Sequence, residues 1–262
     1  MSIAASLNTL RGVRDAIRDA IVSKGGSLPV GSPMGSYAQA ITSLPSGSGG
    51  GDTEIPFRSR LTVPGDTDPW HLTSLTATKV GAYAFYGDML LTTADFPAVT
   101  SIGNYAFYGD RLLTTADFPL VTSIGTNAFQ NCTSLTTADF PVATSIGTNV
   151  FQGCTSLTSV SLPVATSIGS GAFQNCTSLT TADFPVVASI GNYAFYGCAS
   201  LTSLTLSNTT IATLSNTNAL QNTPIAQGTG HIYVPDHLVD QYKTATNWAT
   251  YANQIRPISQ KP

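Results

Sequence analysis

The chain has 262 residues, only 10% of them charged, with a net charge of −3 and four cysteines. So weak and acidic a field excludes a nucleic-acid backbone or an anionic membrane surface as partner. No run of 18 apolar residues occurs, so no membrane-spanning helix is expected, and residues 1–20 carry Arg11, Arg14, Asp15, Arg18 and Asp19 where an export signal needs an apolar stretch. The abundance of Gly, Ser, Thr and Asn instead suits a surface exposed outside a cell or on a virus particle.

From the N-terminus, Leu7, Leu10, Val13, Ile17 and Ile21 recur every three or four residues until Gly25 and Gly26, which predicts an amphipathic helix. A second short helix is expected from Ser36 through Ala38, Ala40 and Ile41, before the glycine-serine stretch Ser46–Gly51. Residues 1–45 thus read as a helical attachment and oligomerisation segment and 46–55 as a linker. So short a segment cannot bury its stripe alone. The stripe is expected to be covered by docking on a larger particle or by self-association, its near-3.5 spacing fitting a small bundle such as a trimer. The run Leu7-Asn8-Thr9-Leu10-Arg11, Ala16-Ile17-Arg18-Asp19-Ala20-Ile21, Lys24-Gly25-Gly26, Gly31-Ser32-Pro33, Tyr37-Ala38-Gln39-Ala40-Ile41 and Pro45-Ser46-Gly47 resembles the N-terminal modules of bacteriophage tail and fibre proteins. That resemblance implies a virion component as partner.

Next comes an internal repeat. Phe85, Phe107, Phe129, Phe151, Phe173 and Phe195 are spaced by 22 without slippage, as are Gly81, Gly103, Gly125, Gly147, Gly169 and Gly191, and Leu91, Leu113, Leu135, Leu157, Leu179 and Leu201. Pro97, Pro119, Pro141, Pro163 and Pro185 add a fourth ladder, ending at Ser207. Within one unit Leu135, Ala138 and Phe140 alternate with polar residues as in a short half-buried strand, which can bury its apolar side only by stacking on its copies. The expectation is a parallel β-sheet of short strands beginning near each repeat's leucine. Proline ends each strand, and Ile-Gly turns the chain back. Phe fills the core from the opposite wall. Six 22-residue repeats at the ~4.8 Å strand spacing make a body roughly 30 Å long.

The string Ser145-Ile146-Gly147, Phe151, Cys154-Thr155-Ser156-Leu157-Thr158-Ser159-Val160-Ser161-Leu162-Pro163 resembles the BspA-type leucine-rich repeats of bacterial surface proteins. The likeness runs from about Leu72 to Leu206. It implies a leucine-rich-repeat solenoid used for adhesion, binding protein or glycan, and brings no catalytic residues.

After Leu206 the period slips through Ile211, Leu214 and Leu220, a degenerate last coil, so the solenoid with its lead-in spans 56–230. Residues 231–262 read as a strand-helix cap: Ile232-Tyr233-Val234-Pro235, then Leu238, Val239, Tyr242, Ala245, Trp248, Tyr251 and Ile255 at helical spacing after Asp236 as N-cap.

Three columns carry the candidate chemistry. Cys132, Cys154, Cys176 and Cys198 share one repeat position, taken by Asp88 and Asp110 in the first two units. Free thiols packed at the bend, disulfides and a metal site are the alternatives. In-register side chains point the same way, and no histidine joins them. The two aspartates place this position near the surface, where a carboxylate can bond turn amides. Asp95, Asp117, Asp139 and Asp183, with Thr93, Thr115, Thr137 and Thr181, alternate with inward residues and face out. They form a solvated sheet face or a binding surface for a cation or glycan. Tyr83, Tyr86, Tyr105, Tyr108, Tyr193 and Tyr196 occur only in repeats one, two and six, and either contact a partner or shield the ends of the array. No cofactor motif, catalytic triad or metal motif occurs, so an enzyme is not expected.

These features together point to a bacteriophage virion structural protein, a tail fibre or other surface adhesin, anchored through residues 1–45 and presenting the solenoid to a bacterial surface protein or glycan. A bacterial cell-surface or secreted adhesin and a purely architectural decoration protein are the alternatives.

Overall fold

The computed structural model describes Glu54–Ile55, His71–Thr73 and residues 77–262, which belong to one compact unit. The stripe of Leu7, Leu10, Val13, Ile17 and Ile21, the second short helix and the stretch Ser46–Gly51 lie outside the described residues.

Each coil contributes to three walls, and within the six repeats every residue lies beside its equivalent 22 positions away. The first wall holds the expected strands Thr93–Asp95, Thr115–Asp117, Thr137–Asp139, Ser159–Ser161, Thr181–Phe184 and Ser203–Leu206, all in parallel register. They begin two residues after the leucines. Leu113 and Leu135 still belong to the bend, since their N–H groups bond Asp110 O and Cys132 O of their own coil, at 3.2 and 3.1 Å. This wall is two sheets rather than one: His71–Thr73 to Ser159–Ser161 form the first, and Thr181–Phe184 begins the second. The break falls at the coil where Val160 stands for the buried alanine and Leu162 for phenylalanine. Val160 is also less buried than Ala138 and Ala182, the same position on either side.

The second wall corrects the expected Ile-Gly turn. Glu54–Ile55, Lys79–Val80, Ser101–Ile102, Ser123–Ile124, Ser145–Ile146, Ser167–Ile168, Ser189–Ile190 and Thr213–Leu214 form an eight-stranded parallel sheet. In the Ser-Ile pairs the β-branched residue points into the core. The glycine that follows is required by close approach and not by a turn. A Cβ on Gly103 would lie 2.4 Å from Ala82 N, and one on Gly169 2.5 Å from Gly147 C.

The third wall is made of turns with their own ladder. Tyr83, Phe85 and Gly87 N–H donate to Asn104, Ala106 and Tyr108 O of the next coil at 3.0, 2.7 and 2.7 Å. Later coils repeat this, as where Asn127 and Phe129 bond Thr148 O and Val150 O at 3.0 and 2.9 Å. Alternate residues must be left-handed for the pattern to close: Tyr83, Tyr105, Asn127, Asn149, Gly171 and Tyr193 form one positive-φ column.

Between the walls stand two aromatic columns. Phe85, Phe107, Phe129, Phe151, Phe173 and Phe195 stack at 5.0, 5.0, 5.6, 5.5 and 5.3 Å between ring centroids. Phe96, Phe118 and Phe140 form the second.

The cap differs from the single helix expected. Asp236 is not an N-cap: Pro235 holds that place, and the Asp236 carboxylate accepts the Ser259 Oγ–H at 2.6 Å and its N–H at 3.2 Å. Those bonds hold its pKa below the usual carboxylate range. Short 3-10 turns, Asp236–Leu238 and Trp248–Gln254, flank one α-helix, Val239–Thr244, because Asn247 adopts φ 65° and interrupts it. Strands His231–Val234 and Ile255–Pro257 extend the second sheet of the first wall. The cap side chains satisfy the last edge of the second wall. Tyr242 OH accepts Ala212 N–H at 2.8 Å, Trp248 Nε1 donates to Ala212 O at 2.7 Å, and Asn247 Nδ2 donates to Leu214 O at 2.7 Å.

The cysteine column is free and wholly buried. Each thiol donates to the phenylalanine carbonyl 25 residues earlier: Cys132 to Phe107, Cys154 to Phe129, Cys176 to Phe151 and Cys198 to Phe173, at 3.0 to 3.1 Å. Phe129 O therefore accepts both Cys132 N–H of its own coil and the Cys154 thiol of the next. Burial pushes Cys154 and Cys198 up to about 12 and raises Cys132 and Cys176 as well. Asp110 corrects the expectation that this position lies near the surface, since it is 0% exposed. Its Oδ1 accepts the Asp88 N–H at 2.7 Å, while Oδ2 has no partner. Burial, and secondarily the Asp88 charge, push its pKa from 3.8 up to about 9, so the acid is neutral at pH 7.

Phe129→Ala, which empties a fully buried slot, is expected to cost about 3–5 kcal/mol in urea unfolding, and exposed Thr136→Ala within about 0.5 kcal/mol. In the same assay across pH 5 to 9, the folded chain retains an Asp110 proton that the unfolded chain releases. Stability should therefore be greatest below about pH 4 with respect to this group, fall by up to about 1.4 kcal/mol per unit as pH rises, and level above about pH 9. Asp110→Cys, the residue this column uses in later coils, should remove that slope. A thiol reagent added to native, unreduced protein should find the four cysteines inert, and after unfolding should titrate four.

Candidate functional site

The structure brings four of the six predicted tyrosines into one array on the third wall. Tyr83 stacks on Tyr105 at 5.0 Å and Tyr86 on Tyr108 at 4.9 Å, each pair within 5° of parallel. Within each coil the two rings lie 5.8 and 5.7 Å apart. Tyr83 and Tyr86 are 44% and 50% exposed. Tyr105 and Tyr108 are half-buried beneath the next coil. Tyr193 and Tyr196 form a separate edge-on pair in the sixth coil, beyond three intervening coils, at 5.6 Å, with Asn218 Nδ2 donating to Tyr193 OH at 3.2 Å.

Sequence reasoning missed what lies between. Gln130 Nε2 donates to Gln152 Oε1 at 2.6 Å, and Gln152 Nε2 to Gln174 Oε1 at 2.9 Å. Asn131 Nδ2 joins this region to Tyr108 OH at 3.4 Å. The third wall therefore runs from tyrosines through a ladder of amides to tyrosines. Its signal in the sequence was the Asn, Gly and Tyr usage of one repeat position, the mark of left-handed backbone. That conformation costs an L side chain about 1–2 kcal/mol, least for Asn and nothing for Gly. Tyr83, Tyr105 and Tyr193 bear the cost at φ 59°, 56° and 56° where the intervening coils use Asn127, Asn149 and Gly171. A stacked aromatic pair returns about 0.5–1.5 kcal/mol, enough to offset it only in part over two coils.

The aspartate column lies on the first wall. Asp95, Asp117 and Asp139 sit side by side in register, and Asp183 is set apart from them by the Ser161 coil. Asp117, Asp139 and Asp183 are exposed and Asp95 half-buried. Of the threonines, Thr115, Thr137 and Thr181 are exposed and Thr93 half-buried. Lys261 Nζ reaches Asp183 Oδ2 at 3.5 Å, so the C-terminal residues cross this end of the column. A third feature escaped the sequence reading: Leu120, Val142, Val164 and Val186, each following a proline, are 38–49% exposed and form an apolar stripe. Among the described residues no group of three His, Cys, Asp or Glu could hold a metal ion, and no helix is long and apolar enough to cross a membrane.

A family profile described as the BspA type leucine-rich repeat region matches residues 78–186 and 144–233, in six copies. Among solved structures, a leucine-rich repeat protein from Eubacterium ventriosum is similar at 26% identity, covering 59% of this chain and 43% of its own, with a TM-score of 0.51. Another, from Bacteroides ovatus, is 22% identical over 72% of this chain and 54% of its own, also at 0.51. A leucine-rich cell surface protein from Faecalibacterium prausnitzii shares 27% identity over 51% of this chain and 44% of its own, at a TM-score of 0.40. The chain thus spans about half the length of these structures or less. No curated protein matches it significantly. Six stacked coils with buried Phe, Leu and Ile at fixed positions, matched over more than half the sequence, place this chain in the BspA-type leucine-rich-repeat family.

Proposed function

We propose that this protein is a non-enzymatic recognition scaffold on a bacteriophage particle, anchored through residues 1–45 and presenting its solenoid to a bacterial surface protein or glycan. The observation that carries the reading is the exposed tyrosine array. It sets large aromatic groups, two of them on strained backbone, on the outside of a framework whose core does not use them. A rigid wall with side chains held at fixed spacing binds with little ordering cost, which suits contact rather than turnover. Attachment to the particle is supported by the stripe Leu7, Leu10, Val13, Ile17 and Ile21 and by the likeness of its flanking sequence to tail and fibre modules. Self-association of that stripe, for example as a trimer, would hang several solenoids from one hub and raise weak contacts through effective concentration.

Immunogold electron microscopy with an antibody to the repeats tests the assignment. Gold is expected on tails or fibres of particles released from the producing strain. Labelling confined to bacterial envelopes would replace the virion with a cell-surface adhesin, and labelled particles that bind no bacterial cells through this protein would leave an architectural role.

A further inference from the structure

The turn segments of the third wall, from residues 81–87 in the first coil to 191–197 in the sixth, contain no charged residue. Phosphate, acidic sugars and basic peptides find no counter-charge within those segments, the charges nearest in sequence on the exposed surface being half-buried Asp88 and exposed Arg111 just beyond their ends. Within those segments the exposed large apolar side chains are tyrosines, whereas a protein partner's contact core draws on aliphatic as well as aromatic groups. The exposed aliphatic side chains lie outside those segments, Met89 and Leu112 in the bend that follows the first two and Leu120, Val142, Val164 and Val186 after the prolines.

The glutamine ladder fixes the polar chemistry. An amide offers two donor hydrogens and two acceptor lone pairs. Gln152 spends one donor on Gln174 and one lone pair on Gln130, which leaves one of each. The ladder bonds also hold the amides in a common direction, so their remaining capacity is preorganised. A group that both donates and accepts matches a sugar hydroxyl, which does the same. Tyrosine adds a hydroxyl and exposed ring edges for apolar C–H contact, the facing surfaces of Tyr83 and Tyr105 and of Tyr86 and Tyr108 being taken up by their stacking.

We propose that this wall binds a neutral glycan, with the exposed ring edges and hydroxyls of Tyr83, Tyr86, Tyr105 and Tyr108 as its aromatic contact and the Gln130–Gln152–Gln174 ladder as the hydrogen-bonding track beside them. The proposal rests on the recognition reading above and gives it a ligand class. It explains why Tyr83 and Tyr105 stand at left-handed positions where asparagine or glycine suffices for the fold.

The test is native affinity electrophoresis of the full chain in gels containing dextran, mannan, a β-glucan or starch, with acidic alginate for comparison. The chain should be retarded by at least one neutral polysaccharide and not by alginate. Two double variants borrow the residues of the middle coils: Tyr83→Asn with Tyr105→Asn, and Tyr86→Gln with Tyr108→Gln. The first should lose about tenfold or more in affinity while its melting temperature holds or rises, because asparagine relieves the strained backbone. The second should lose affinity with its fold intact.

Passage through every neutral gel unretarded, or retention of both variants equal to wild type, overturns the proposal. So does a melting temperature well below wild type in both variants, which would make the tyrosines structural. Binding of labelled protein to bacterial cells separates this from the broader reading. Cell binding that survives in both variants and disappears when the cells are treated with protease places a protein partner on another wall and overturns the glycan alone. Wild-type protein that binds no cells overturns the recognition reading itself.

Discussion

Residue i lies beside residue i+22 throughout the array, because each coil completes its backbone hydrogen bonds on its neighbours. Every side chain is therefore flanked by its own equivalents at about one strand spacing, and a residue type is admissible only if it tolerates copies of itself. Phenylalanine does so by stacking, threonine by donating its hydroxyl to the preceding threonine carbonyl, as Thr122 does to Thr100 at 3.2 Å, and glutamine by chaining amides. Cysteine does so by giving its thiol to a carbonyl of the coil before. Charge is the type that fits least well, since like charges ~5 Å apart repel by roughly 0.8 kcal/mol even in water and by more when buried. The low charged fraction of the chain follows from its register. The exceptions are informative: exposed Asp117 and Asp139 are shielded by solvent, whereas buried Asp110 keeps its proton.

The same register creates an edge problem at the last coil. Thr213–Leu214 ends the eight-stranded sheet with N–H and C=O groups that another chain could pair. The cap meets them with side chains instead of backbone. Tyr242, Trp248 and Asn247 take the groups of Ala212 and Leu214, and Tyr251 OH bonds Thr217 O. Tyr242 and Trp248 are also buried against each other edge-on at 5.3 Å, so the groups that end the sheet also seal the core. Their phenol and indole ends suit them to this double task, one part apolar and one part hydrogen bonding.

The outer surface divides by wall. The first wall shows carboxylates and hydroxyls, the position after the prolines a line of aliphatic residues, and the third wall uncharged amides and phenols. Each is a column repeated along the axis, so any ligand meets the same groups at successive coils. Where a column changes identity, as from Tyr108 to Gln130 or from Asp139 to Ser161, the change marks a local boundary on an otherwise uniform face.

The 22-residue period determined the solenoid, the inward ladders of Phe, Leu and Ala and the outward Asp and Thr, because alternation within a strand and exact repetition leave one consistent facing. It also placed the four cysteines in one column. What the sequence left undecided depended on contacts between coils. The Ser-Ile pairs read as part of a turn, yet two residues suffice for a strand once eight copies bond side by side. Gly103 read as a turn glycine, but it is demanded by the backbone of the coil beneath it. Asp110 read as near-surface because carboxylates usually are, whereas the stack places it where its coil-mates use a thiol. The tyrosines were legible as residues and not as an array, since the strain at Tyr83 and Tyr105 and the stacking that accompanies it exist only when two coils meet. A periodic sequence thus names its columns. Depth, close approach and partnership arise between neighbouring coils, and only the tertiary structure decides them.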